Sequence, residues 1–111
     1  MMRPALSVAA AAGLLRSLLA RAGVDRDRIL LTEFRSTDWQ SLTFVGERHQ
    51  IGLRLAGKDA AHIVERLTDR LEEVEWRIPG QIVADIGLEG PPVESDDGSI
   101  MLSIEALTIA E

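Results

Sequence analysis

The side chains with most chemical capacity are two histidines, His49 and His62, and a scatter of carboxylates. His62 has Asp59 and Glu65 three residues away on either side, a spacing that sets all three along one edge of a helix. Such a cluster offers acid–base chemistry or, with His49 as a further ligand, part of a metal site. Zinc sites use three or four ligands at recognisable spacings, and these residues lack that pattern. Surface charges forming weak helical pairs account for them. Glu47-Arg48-His49 falls at an expected hairpin tip, where no nucleophile or base can be assigned as a partner. Asp85 lies on an otherwise apolar strand. A carboxylate there could ionise in a cleft with a shifted pKa, but a place on the solvent face opposite Ile82, Ala84 and Ile86 is the commoner arrangement. Asp96-Asp97-Gly98 lacks the spacing of a calcium loop. There is no Gly-rich phosphate loop, no Gly-x-Ser-x-Gly and no His-Glu-x-x-His motif. Trp39 and Trp76 could stack on a ligand, although anchoring a core or an interface is the commoner role. With no cysteine, disulfides, thiolate metal sites and a Cys nucleophile are excluded. The residues therefore argue against an enzyme and call for no metal and no cofactor.

The elements that must position these residues begin with an apolar helix. The 111 residues suit one domain spanning 1–111. Twelve Lys and Arg against 18 Asp and Glu leave a net charge of −6, which disfavours free binding to nucleic acid. Pro4 suits the first turn of a helix and Gly23 its end, giving an expected helix over 1–23. Ala5, Leu6, Val8, Ala9–Ala12, Leu14, Leu15, Leu18 and Leu19 surround nearly all of it. A helix apolar on most sides must be covered on most sides, and one small sheet covers a single stripe. Leu14, Leu15 and Leu18 are therefore candidate interface residues, and Gly13 marks a close contact of that helix. Arg3, Pro4–Leu15 and Ala20-Arg21-Ala22 also mimic a secretory signal, but Arg16 interrupts the apolar run before the cleavage-like triplet. The run is too short to span a membrane.

Val24–Arg28 is a charged connector. A three-strand meander is expected over 28–56: Ile29–Phe34, a turn at Ser36-Thr37-Asp38, Ser41–Val45 with Leu42 and Phe44 on one face, a tip at Gly46-Glu47-Arg48, and Gln50–Leu55. In the last strand Ile51, Leu53 and Leu55 point inward and Arg54 outward. Gly52, facing outward, permits a close approach. Ala60, Ile63, Val64, Leu67, Leu71 and Val74 form one stripe of an amphipathic helix over 58–75. Pro79-Gly80 turns into a hairpin over 80–110. Its first strand directs Ile82, Ala84, Ile86 and Leu88 inward, a polar loop runs from Gly90 to Gly98, and its second strand changes phase near Ala106-Leu107, as at a bulge. The order α-βββ-α-ββ predicts an α+β fold, with helices packed on one face of an antiparallel sheet.

Asp38-Trp39, Gly46-Glu47 and the alternating Ile51–Leu55, followed by Pro79-Gly80 and a closing hairpin, resemble the small tail-terminator (tail-completion) proteins of long-tailed phages and gene transfer agents. The likeness covers most of the chain in order, through short motifs. It implies a structural protein without catalysis that closes into a ring, usually of six, capping the tail tube and joining it to the head. Its partners would be copies of itself, tail-tube proteins and head-connector proteins, in the cytoplasm or in a virion-like particle. The first helix would then contact a neighbouring copy. Trp39, the hairpin Gly46-Glu47-Arg48 and the loop Pro91–Gly98 would be docking elements, and acidic charge facing the lumen would keep DNA sliding. The alternative from the residues is a homodimeric α+β module binding a small molecule or protein, its first helix paired with its own copy.

Overall fold

In the computed structural model the backbone is described for residues 4–111, and side chains from residue 10 onward except Arg26. Helix α1 (Pro4–Ala22) turns its stripe Ala10, Leu14, Leu18 and Ala22 into the core. Gly23 ends it with a left-handed φ of +67°, the conformation in which glycine carries no Cβ penalty. Arg3 and the side chains of Ala5, Leu6, Val8 and Ala9 lie outside the described residues. Gly13 does mark a close contact: a Cβ there would sit 2.9 Å from Ile78 Cγ2.

Helix α2 (Ala60–Thr68) buries Ala60, Ile63, Val64 and Leu67 as its periodicity predicts. It stops short of the expected end at 75. Arg70 takes a left-handed φ of +50°, and Leu71–Glu73 continue as a 3₁₀ turn that still buries Leu71. The two helices cap each other. Arg21 donates to the carbonyls of Leu67 (3.1 Å) and Asp69, while Arg66 donates to the carbonyl of Ala22 through Nε (3.1 Å) and a terminal nitrogen (2.6 Å). Each guanidinium thus satisfies carbonyls that a helix C-terminus leaves orphaned. Arg21 thereby caps the carbonyl of Leu67 in the last turn of the shortened α2.

The fold is α+β: both helices pack on one face of an antiparallel sheet of five strands. The strands are distributed along the chain differently from expectation. Two long strands, β1 (Ile29–Gln40) and β2 (Val45–Leu55), precede α2, and β3 (Gln81–Leu88), a short β4 (Val93–Glu94) and β5 (Ile100–Ala110) follow it. The spatial order is β1-β2-β5-β3, with β4 beside β5. The expected three-strand meander is thus a two-strand hairpin. Ser36-Thr37-Asp38 is not a turn but lies within β1, opposite His49, Arg48 and Glu47. The turn falls at residues 41–44, where Ser41 Oγ accepts from the backbone N–H groups of Thr43 (3.3 Å) and Phe44 (3.0 Å). Ser36 and Ser41 have the same local turn chemistry. A cross-strand partner for Ser36 decides between them.

Ile51, Leu53 and Leu55 are buried, as are Ile100, Leu102, Ile104 and Ala106. The alternation of β5 runs unbroken, so the expected bulge near Ala106-Leu107 is absent. The irregularity sits on the partner strand, between Val83 and Asp85. It reverses the phase of β3: Val83 and Ile86 meet the core, whereas Ile82 and Ala84 are exposed. A second bulge, between Leu31 and Glu33, brings Thr32 over Gly52, where a Cβ would lie 2.6 Å from Thr32 Oγ1.

Candidate functional site

The β1–β2 hairpin gathers most of the residues singled out by sequence and divides them between its two faces. Strand alternation puts Glu47, His49 and Ile51 on the helix side, and Gly46, Arg48 and Gln50 on the open side. Gly46-Glu47-Arg48 is therefore no tip. It is paired with β1 on one flank and β5 on the other, and Glu47 is only 4% exposed. Gly46 is needed there because a Cβ would fall 2.0 Å from the carbonyl oxygen of Thr108.

His49 is buried rather than solvated. Its Nδ1 lies 2.7 Å from Ser36 Oγ on β1 and its Nε2 lies 2.8 Å from Thr108 Oγ1 on β5. A neutral imidazole donates through one nitrogen and accepts through the other, and hydroxyls can answer either role. The ring is thus a strut across three strands. Burial lowers its pKa below the ordinary 6.5, against a smaller upward pull from Glu47. With both nitrogens engaged and no exposed surface, His49 has no access to a substrate. The signal for its burial was in the sequence, since it shares the parity of Ile51, Leu53 and Leu55.

On the open face, Trp39, Arg35, Thr37, Arg48 and Gln50 line a shallow cleft of about 320 Å³. Arg35 donates to Gln50 Oε1, and Arg48 lies 3.4 Å from Glu105 Oε1. Trp39 and Arg48 therefore share a surface, while Glu47 faces away from them. Elsewhere Trp76 packs against the core, its indole N–H buried with no acceptor among the described residues. The remaining candidates are ordinary. His62 and Asp85 are exposed, and Asp59 pairs with Arg28, whose guanidinium hydrogen bond holds its carboxyl below the usual range. Asp97 is likewise held low by the Ser99 hydroxyl and backbone N–H, and it accepts from Arg54 at 2.7 Å. Among the described residues, no three His, Asp or Glu side chains group as metal ligands. No described helix is long and apolar enough to cross a membrane.

The apolar surface left by the fold departs furthest from the sequence reading. Leu14 and Leu18, expected at an interface, are 0% exposed in the single chain and so belong to its own core. Leu15 is half-buried. With Leu19, Ile29, Leu31, Leu53 and the carboxylate of Asp27 it lines a groove of about 400 Å³ between α1 and the outer strand β1. Leu31 there is 40% exposed. At the other end of the hairpin the turn carries Leu42, fully exposed, with Phe44 and Val45, each 51% exposed. The sequence pattern assigns these three to a strand with Leu42 and Phe44 on one face. The structure makes them the turn and the first residue of β2 instead.

Compared with known proteins, the chain matches no family model, and neither a curated protein nor a solved structure is significantly similar to it.

Proposed function

We propose that this chain is a structural assembly protein, a tail-terminator-like subunit that closes with copies of itself into a ring joining a tail tube to a head. The observation that carries the reading is the outer strand. β1 is twelve residues long and, among the described residues, pairs with β2 alone, which leaves its outer row of backbone donors and acceptors open to another chain. An apolar groove runs beside that edge, and an apolar turn projects from the end of the same hairpin. A surface with unpaired polar backbone beside uncovered leucines suits protein contact better than catalysis. The α+β fold, the negative charge and the resemblance through Asp38-Trp39, Gly46-Glu47 and Ile51–Leu55 support the same reading. His49, by type the side chain best suited to acid–base work, is locked in a buried strut.

The alternative is the homodimer, and the same edge favours it: two β1 strands pairing about a two-fold axis would continue the sheet. Electron microscopy of negatively stained full-length protein separates the two. Ring particles with a central opening support the tail-terminator reading. Compact two-lobed particles support the dimer and remove the ring.

A further inference from the structure

Resting on that ring reading, the surface itself names the contact: we infer that the apolar turn of one copy seats in the groove beside β1 of the next copy. Leu42 and Phe44 of the turn, with Val45 at the start of β2, form a plug left uncovered by its own chain, since Leu42 is fully exposed and Phe44 and Val45 are half-exposed. The groove, lined by Leu15, Leu19, Ile29, Leu31, Leu53 and Asp27, is an apolar socket of about 400 Å³, enough for more than one large side chain. Plug and socket lie at opposite ends of one hairpin, whose register runs continuously from Ile29↔Leu55 to Gln40↔Val45 apart from the Thr32 bulge. The length of β1, at about 3.3 Å per residue, separates them by roughly 35 Å, so they cannot meet within one copy. In a ring of identical copies every plug and every socket is covered, each by a different neighbour, whereas a foreign partner in the groove would leave the plug in water. Made head to tail, such a contact is heterologous and closes into a ring when the rotation allows. Made reciprocally it closes as a two-fold pair; the ring reading takes the first form. Asp27, exposed and among the lining residues, adds a polar group of the kind found around an apolar contact.

The absence of native cysteine permits a direct test on the full chain. Leu42→Cys and Asp27→Cys, both at exposed positions, are made in separate preparations, mixed and mildly oxidised. The expected result is a covalent pair of unlike copies in excess over like pairs, and a ladder of covalent oligomers from the double variant. If the wild type assembles but unlike copies do not cross-link, the seating inference falls and the ring reading stands. If the wild type stays monomeric, both fall. A second variant, Phe44→Asp, should weaken assembly about tenfold or more, with circular dichroism and thermal unfolding of the monomer unchanged. Unaltered assembly of that variant overturns the seating.

Discussion

His49 shows how far one side chain's role depends on which strands flank it. Placed at a tip it would be a solvated, titratable charge. Placed between Ser36 and Thr108 it is a buried strut that favours its neutral form. Because burial lowers its folded pKa below 6.5, the unfolded chain binds the proton more readily. Stability is therefore complete at pH values above the unfolded pKa. It falls as pH drops through about 6.5 toward the lower folded value, then levels off. Urea midpoints measured from about pH 7.5 to 5 should decline across that window. His49→Gln should flatten the decline while costing about 1–3 kcal/mol at neutral pH. A midpoint equally pH-dependent in the variant would remove His49 from the cause. Gly46 makes a different demand. With the Thr108 carbonyl 2.0 Å from the place of a Cβ, Gly46→Ala must push β2 from β5. The expected loss is about 3 kcal/mol or more in thermal or denaturant unfolding. Tolerance of alanine would mean the strands are not so closely apposed.

Elements were legible in the sequence wherever a periodic apolar stripe decided their packing. The faces of α2 and β2 were readable because Ile63 and Leu67 on one, and Ile51 and Leu53 on the other, meet a single core cluster. Leu102 and Ile104 of β5 join that cluster by the same alternation. Strand ends were less legible, because Ser36 and Ser41 look alike locally and only the distant His49 distinguishes them. The phase of β3 was hidden for a similar reason: a bulge at Ala84 exchanges the faces of Ile82 and Val83, and nothing in alternating apolar residues announces it. The early end of α2 was also invisible, and the side chain that caps it there, Arg21, lies 46 residues away from Leu67. That exchange of caps yields a prediction. Arg66→Met should keep the aliphatic packing, lose the bonds to the Ala22 carbonyl and cost about 1 kcal/mol. Combining it with Arg21→Met should give additive losses if the caps are independent, and a double-mutant cycle on chemical denaturation reads this directly.

At the scale of the whole molecule, the apolar content of α1 does not by itself argue for assembly. Leu14 and Leu18 are covered by their own chain, because α2 and the sheet together enclose more of the helix than one sheet alone could. The hairpin is the feature on which the proposed assembly rests. At one end it bares Leu42, Phe44 and Val45, and at the other it leaves an apolar groove beside a strand edge. These features were not readable from sequence, because they required the position of the turn and the place of β1 at the sheet's margin. The molecule measures 45 × 27 × 24 Å. The most direct measurement is light scattering of the purified full-length chain across a range of concentrations. The expected mass is a fixed multiple of the 12.1 kDa protomer, larger than two and constant on dilution. A mass of one protomer at the highest concentration would contradict ring assembly outright.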